Sequence, residues 1–191
     1  VIGQIIDFNP REVEFQYRGD LAEADNSLIK LSFMKGYADQ VVDGFVSFVN
    51  ASQEFEKLGI TSREEADPDF SSYRSALKVT VHGNGNQALT IGGVVFEDRH
   101  LRLTLLNNFY FEVEPRGHMV LVQNEDKPGV IGKLGVQLAE GNVNISSFNL
   151  ARNKQGGSAM ALLGVDSPIS SSQVAEIQGI QHVSRVKAIQ L

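Results

Sequence analysis

The stretch HMVLVQNEDKPGVIGKLGVQLAE, residues 118–140, decides the fold of the second half of this chain. An apolar run from His118 to Asn124 predicts a strand, and a Pro-Gly pair separates it from a helical pattern over about Gly129 to Glu140. The apolar residues on one face of that helix are Ile131, Leu134 and Leu138. A strand that leads through a short loop into an amphipathic helix is the beginning of a βαβ arrangement.

The residues after this helix complete the pattern. Further strands are predicted at Val143 to Arg152, Ser158 to Val165 and Val183 to Ile189. Ser170 and Gln173 have the spacing of a capping box, which starts a short helix before the last strand. The resulting order is βαββαβ, which predicts a ferredoxin-like domain.

The first part of the chain mixes strands and helices differently. Apolar residues alternate with polar ones in a first strand at Val13, Phe15 and Tyr17. Two helices are predicted next, one capped by Asn26 or Ser27 and one opened by the capping-box spacing of Asn50 and Gln53. Beyond Pro68 the helical period disappears, and alternating or apolar segments predict antiparallel strands. These segments begin at Leu77, Ile91, Leu101 and Phe109.

A domain boundary is predicted where Pro115, Arg116 and Gly117 follow the last of these strands, because Pro and Gly close together interrupt regular structure. We therefore expect two domains, residues 1–115 and 116–191. The first is a mixed α/β domain and the second is ferredoxin-like. The predicted fold class is α+β.

Composition excludes several classes of function. The net charge of −6 and the absence of a Lys/Arg cluster argue against nucleic acid and an anionic membrane as partners. The chain has no Cys, which excludes disulfides and thiolate chemistry and fits a reducing compartment. With neither a membrane-spanning run nor a signal peptide, we expect a cytoplasmic protein. The first methionine is Met34, so we also expect a piece of a longer chain.

Several motifs resemble catalytic ones without supporting chemistry. GNGNQA, residues 83–88, fits a dinucleotide loop, but the strand-like LTIGGVVF that follows favours a hairpin turn. The histidines lack metal-ligand spacing: His82, His100, His118 and His182. Asp126 has no neighbouring second group for general base catalysis. We therefore predict no catalytic residue, no metal site and no cofactor site in this chain.

The loop after the predicted strand at His118 is suited to binding an anion. If Val130 and Ile131 begin a helix, the free backbone N–H groups around Gly129 to Ile131 point into the loop at the positive end of the helix dipole. Such a helix end accepts a carboxylate, and Gly129 lets the ligand approach because it has no Cβ.

Polar residues around this loop could also bind an ammonium group, so the ligand of the site could be an amino acid. Asn124 and Asp126 flank the loop, and the Asp126 carboxylate offers a charge-assisted hydrogen bond to an ammonium group. Asn144 offers an amide to the same ligand, from its own chain or from a neighbouring one. The alternative is that Asp126 and Pro128 only cap and start the helix.

A family resemblance agrees with the amino-acid interpretation. Residues 118–152, with the hairpin partner GGSAMALLGVD, resemble the ACT domain, a regulatory module that binds amino acids. More narrowly, they resemble the ACT domain of long-form D-3-phosphoglycerate dehydrogenases. VEFQYRGDLAE, residues 13–23, and FVNASQEFEKLGI, residues 48–60, resemble the intervening, allosteric-substrate-binding domain of the same enzymes. The tandem of two domains is more specific than either motif alone.

The resemblance implies a regulatory role. Enzymes of this family oxidise 3-phosphoglycerate with NAD in the first step of L-serine synthesis, and L-serine inhibits many of them between paired ACT domains. It implies a homo-oligomer that binds L-serine, with NAD needed only in the full-length enzyme and no catalysis from this chain alone. Carried onto this sequence, the L-serine ligands are Asn124, Asp126, Gly129, Val130, Ile131 and Asn144.

The sequence departs from some family members and leaves two alternatives. Some serine-inhibited members carry His or Tyr in place of Asn124, and some carry Asn in place of Asp126. One alternative is a purely structural oligomerisation module without a small ligand. The other is the regulatory part of an L-serine dehydratase, an enzyme that also carries these domain types.

Overall fold

The computed structural model describes residues 1–69, 73–96 and 100–191. Contacts divide them into two compact units, one made of Ile2 and residues 6–101 and the other of Val1, residues 3–5 and residues 102–191. The chain contains both helices and strands, which confirms the α+β class. This division groups residues by their contacts and does not test where one domain ends and the next begins. The domain boundary at Pro115 to Gly117 therefore stays a prediction.

The elements have the following bounds. The helices are α1 (Ile2–Ile5), α2 (Ser27–Val41), α3 (Ala51–Lys57), α4 (Val130–Glu140) and α5 (Ser171–Gln178), and a 3-10 turn spans Asp20–Glu23. The strands are β1 (Glu12–Gly19), β2 (Thr61–Asp67), β3 (Ser75–His82), β4 (Ala88–Phe96), β5 (His100–Leu106), β6 (Phe109–Val113), β7 (His118–Glu125), β8 (Ile145–Arg152), β9 (Ser158–Val165) and β10 (Val183–Gln190). Within the described ranges, no helix combines the length and apolarity needed to cross a bilayer.

The unit of residues 6–101 packs helices against one face of a sheet. Strands β2, β1, β3 and β4 are neighbours in that order. The alternation predicted in β1 is confirmed, because Val13, Phe15 and Tyr17 are all buried. The Phe15 ring meets that of Phe33 on α2 edge-on, with ring centroids 5.2 Å apart, and Phe33 meets Phe55 of α3 at 6.3 Å. Aromatic edge contacts of this kind join α2 to β1 and α3 to α2.

Strand β2 is not predicted by the sequence pattern. It pairs with β1 in parallel and has no other neighbour in the sheet order, so it is an edge strand. Its segment, TSREEAD, is mostly exposed and therefore has no apolar alternation to recognise. Ion pairs support it instead, with Arg63 Nη2 2.8 Å from Glu14 Oε2 and Lys30 Nζ 2.6 Å from Glu64 Oε1. Polar side chains on an edge strand also discourage pairing with other chains.

Asn26 and Asn50 occupy the predicted N-cap positions of α2 and α3, but neither side chain makes the capping hydrogen bond. The Asn26 amide turns back and donates to the carbonyl oxygens of Leu21 and Ala24, at 2.7 and 3.1 Å. The Asn50 side-chain Oδ1 accepts from the backbone N–H of Ser47 at 2.6 Å. Both side chains close the preceding turn, a hydrogen-bonding pattern that competes with capping in short polar residues.

The GNGNQA segment, residues 83–88, forms the predicted turn between β3 and β4. The backbone N–H of Gly83 donates to the Gln87 carbonyl at 2.9 Å, and β4 follows at once. Strands β3 and β4 are antiparallel, as are β5 and β6, which confirms the predicted antiparallel character of these segments. Because no helix begins after the glycines, this loop does not supply the helix N-terminus that a dinucleotide pyrophosphate requires.

The last six elements form the predicted βαββαβ arrangement. Their four strands lie in the order β10-β7-β9-β8, and the pairs are antiparallel. Helices α4 and α5 cover one face, and the core between helices and sheet consists of Val120, Val122, Leu134, Leu138, Val143, Ala161, Leu163, Val165, Ile177 and Val186. The capping box of Ser170 and Gln173 at α5 is confirmed, with both reciprocal hydrogen bonds present.

One core position of α4 differs from the prediction. Val130 is buried at the first position of the helix, whereas Ile131 is only partly buried. Val130, Leu134 and Leu138 are spaced by four residues and therefore follow one stripe along the helix. The sequence pattern allowed Ile131 in that stripe because three- and four-residue steps both keep a side chain near the same face.

Candidate functional site

The loop between β7 and α4 is shaped by Gly129. This residue is the N-cap of α4 and has φ 88°, in the left-handed region that favours glycine. A Cβ there would meet nothing within 4 Å, so the conformation and not crowding calls for glycine. Glycine has no side chain to accept hydrogen bonds from the first helical amides, although the Val130 N–H donates to the Lys127 carbonyl at 3.5 Å. Anion binding by the first turn, at Val130 and Ile131, stays a prediction.

Asn124 lies at the end of β7, beside this loop. It is 4% exposed and pairs across the sheet with Ala159 and Val183. Its side-chain N–H donates to the carbonyl of Glu125 at 2.6 Å, while its Oδ1 is buried with no hydrogen-bond donor among the described residues. A buried acceptor without a donor is costly, so a hydroxyl or ammonium donor that entered the loop would relieve that cost.

Asp126 joins the loop to the turn between β8 and β9. Its backbone N–H donates to the Gly157 carbonyl at 2.8 Å. Its carboxylate accepts from the Gly156 backbone N–H at 3.0 Å and from the Arg152 guanidinium at 3.1 Å. The Gly156 N–H and then the Arg152 guanidinium hold the pKa of the Asp126 carboxyl below its usual range. Asp126 therefore braces the loop, and its binding of an ammonium group stays a prediction.

Replacing Asp126 by Asn is expected to lower the thermal midpoint at about pH 7 and to matter less as the pH falls. The folded-state pKa lies below the ordinary value of about 3.9, so ionisation favours the folded chain. That stabilisation is fully present above the ordinary value and is lost as the pH drops through the lower folded value. Thermal midpoints of both proteins across acidic pH measure it. A difference that grows towards low pH would contradict the assignment.

Asn144 lies at the other end of the sheet from Asn124 in the same chain. Across β9, Asn124 aligns with Ala159 and then with Arg152 at the end of β8. Asn144 immediately precedes Ile145, the first residue of β8. At about 3.3 Å per residue, the length of β8 separates the two asparagines by more than about 20 Å. The structure therefore excludes a site that combines the loop with Asn144 of the same chain.

Strand β8 is an edge of this sheet and carries exposed apolar side chains. Phe148 is 39% exposed and Leu150 46%. Both face the helix side, because their register partners on β9, Leu163 and Ala161, belong to the core under the helices. We call Phe148 and Leu150 the β8 edge surface. Among the described strands, β8 hydrogen-bonds only to β9, and β6 lies close to it. A strand edge with exposed apolar side chains is suited to pairing with another strand.

Three residues around these positions were not predicted from the sequence. Arg152 and Gly156 hold Asp126, and Asp166 accepts a hydrogen bond from the Asn144 amide at 2.6 Å. The partners in these pairs lie 26, 30 and 22 positions apart in sequence, so no local motif connects them. The only available signal was the predicted β8–β9 hairpin, which brings Arg152 and Gly156 close together.

Comparisons with known proteins identify relatives along the whole chain. Residues 1–107 match the profile of the family described as D-3-phosphoglycerate dehydrogenase intervening domain. D-3-phosphoglycerate dehydrogenases of Bacillus subtilis and Synechocystis are 29% and 30% identical over 95% and 98% of this chain. The Methanocaldococcus jannaschii enzyme of that name is 25% identical over 100%. The chain spans about a third of these curated relatives, 34% of the first two and 36% of the third.

Proposed function

Because the chain belongs to the D-3-phosphoglycerate dehydrogenase intervening-domain family, we propose that it is the regulatory part of such an enzyme and binds L-serine. In this proposal residues 116–191 are an ACT domain, and L-serine sits between two paired copies of it. The observation that supports the proposal is the position of Asn144, which lies at the opposite end of β8 from Asn124 and the adjacent loop.

Pairing of two β8 edges accounts for that position. Two identical edge strands related by a two-fold axis pair antiparallel, so the start of one lies beside the end of the other. The partner's Asn144 would then lie beside Arg152 of this chain, close to Asp126, which Arg152 contacts. The same symmetry generates two equivalent sites per dimer. The β8 edge surface supports this homo-oligomer, because its apolar side chains would be buried at the interface.

The available groups match the chemistry of L-serine. The amides around Gly129, Val130 and Ile131 are suited to the carboxylate. The buried Oδ1 of Asn124 and the amide of the partner's Asn144 provide acceptors for the ammonium and hydroxyl groups. Asp126 adds negative charge near the ammonium, reduced by its ion pair with Arg152. Together these groups would recognise both ends of a small amino acid.

Feedback inhibition would follow from a preference of L-serine for one arrangement of the paired domains. A ligand shifts an equilibrium only by its difference in affinity for the two states, typically about 1 to 3 kcal/mol. The full-length enzyme would oxidise 3-phosphoglycerate with NAD in the cytoplasm. Residues 83–88 form a hairpin turn that does not fit NAD, so the NAD site would lie in another part of that enzyme.

Replacing Asn144 by Ala is expected to weaken L-serine binding about tenfold or more, because a hydrogen bond to a charged group contributes about 1.5 to 3 kcal/mol. Calorimetric titration with L-serine measures the affinity, with D-serine and glycine as competing ligands. Asn86→Ala is the matched control, since Asn86 is exposed in the turn between β3 and β4. Unchanged affinity in Asn144→Ala, in a folded dimer, would refute the site.

A second candidate function is an oligomerisation module without a ligand. The β8 edge surface favours it, since that surface needs only a second copy of the chain. This candidate predicts a dimer whose thermal midpoint is unaffected by any amino acid. The relatives above carry dehydrogenase names, which favours that parent over an L-serine dehydratase.

A further inference from the structure

Asn144 and Asp166 hold each other through two hydrogen bonds. The Asn144 side-chain Nδ2 donates to Asp166 Oδ2 at 2.6 Å. The Asp166 backbone N–H donates to the Asn144 carbonyl at 3.1 Å. Asp166 directly follows β9, and Asn144 directly precedes β8. The pair therefore joins the two strands at the end of the sheet that lies opposite the β7–α4 loop.

The carboxylate determines which way the Asn144 amide points. An ionised carboxylate only accepts hydrogen bonds, so it selects the NH2 end of the amide and excludes the carbonyl end. With Nδ2 turned to Asp166, the Asn144 Oδ1 and the second N–H are left to other partners. Oδ1 is an acceptor, which suits an ammonium or hydroxyl donor.

The backbone around Asn144 is already fixed by the core. The N–H of Val143 donates to the Leu138 carbonyl at 2.9 Å, and the Val143 side chain is part of the core under α4. Ile145, the first residue of β8, packs against the same core. The remaining freedom of Asn144 is rotation of an exposed side chain, and the hydrogen bond to Asp166 restricts that rotation. A group fixed before binding loses less entropy when the ligand arrives.

We propose that Asp166 is a positioning residue of the effector site, which holds the Asn144 amide with Oδ1 turned outward for a ligand bound by the neighbouring copy. This inference rests on the proposed function, because it assumes that Asn144 reaches L-serine across the paired ACT domains. Asp166 itself does not touch the ligand. It affects the affinity for L-serine by fixing which end of the Asn144 amide, Oδ1 or Nδ2, faces the ligand.

Titration of the wild-type dimer and its variants with L-serine tests the assignment. Asp166→Ala is expected to weaken binding about fivefold, which is the effect of losing one ordinary hydrogen bond. Asp166→Asn is expected to restore most of the affinity, because its amide oxygen still accepts from Asn144 Nδ2. Glu176→Ala is the matched control, since the Glu176 carboxylate also accepts from a side-chain amide, that of Gln137, at 2.9 Å. Thermal midpoints establish that each variant is folded.

The outcomes separate this inference from the proposed function. In support, the double variant of Asn144→Ala and Asp166→Ala binds no more weakly than Asn144→Ala alone, because Asp166 acts only through Asn144. If Asn144→Ala loses affinity while Asp166→Ala keeps that of the wild type, the positioning role is wrong and the site stands. Equal losses in Asp166→Ala and Asp166→Asn would show an effect of charge, which also overturns positioning. A wild type that binds no L-serine overturns both.

Discussion

Replacing Gly19 by Ala is expected to reduce the free energy of unfolding of the unit of residues 6–101 by about 2 to 4 kcal/mol. Gly19 has φ 64°, and a Cβ there would lie 2.2 Å from the backbone oxygen of Arg74. That oxygen also accepts from the Asp20 N–H at 2.9 Å, so it cannot move away without breaking a hydrogen bond. Denaturant unfolding of both proteins measures the difference.

Gly36→Ala is the control for this substitution. Gly36 lies inside α2, and a Cβ at that position would meet nothing within 4 Å. Alanine is a better helix former than glycine, so Gly36→Ala is expected to stabilise the chain by about 0.5 to 1 kcal/mol. A Gly19→Ala variant that is as stable as the wild type or as Gly36→Ala would contradict the close approach of Gly19 to Arg74.

Replacing Leu134 by Ala is expected to destabilise the ferredoxin-like arrangement by about 2 to 5 kcal/mol. Leu134 is 0% exposed and lies in the core between α4 and the sheet. Its removal leaves a cavity among closely packed neighbours, which relax only partly, so both burial and packing are lost. The midpoint and slope of chemical denaturation measure the change.

Lys133→Ala, at the neighbouring position, separates the loss of core packing from a general effect on α4. Lys133 is exposed, so its replacement is expected to change stability by no more than about 0.5 kcal/mol. If Leu134→Ala is as mild as Lys133→Ala, then α4 does not form the core of this unit.

The second half of the chain was predictable because the buried residues of its strands and helices form regular apolar patterns in the sequence. Strand β9 is apolar along its length and is buried on both faces, whereas α4 repeats a buried residue every four positions. The edge strand β2 buries almost nothing, so its sequence carried no pattern. Asn26 and Asn50 lie at the predicted N-cap positions, but their side chains make no capping hydrogen bond. Short polar side chains also close turns, and composition does not distinguish the two uses.

The candidate site was predictable only where it is local. Gly129 and the start of α4 are adjacent in sequence, so the helix N-terminus in the loop could be anticipated. The ion pair of Asp126 with Arg152 depends on the β8–β9 turn, and the position of Asn144 depends on the strand order. Both are consequences of topology. A residue that a second copy of the chain contributes to the site cannot be recognised from the spacing of residues along one chain.

A subunit complementation experiment tests whether one L-serine site is built from two chains. Asn124→Leu removes the side-chain oxygen beside the β7–α4 loop of one chain. Asn144→Ala removes the amide that the other chain contributes to the same site. Each variant alone is expected to bind L-serine weakly. In a two-fold dimer that combines them, one site keeps both native groups and the other loses both.

The measurement is an L-serine titration of each variant alone and of an equal mixture after exchange of chains. A site shared between two chains predicts that the mixture recovers wild-type affinity at about one site for every four chains, because half of the dimers are mixed and each has one intact site. A mixture as inactive as the separate variants, beside a wild type that binds, would contradict a site shared between chains.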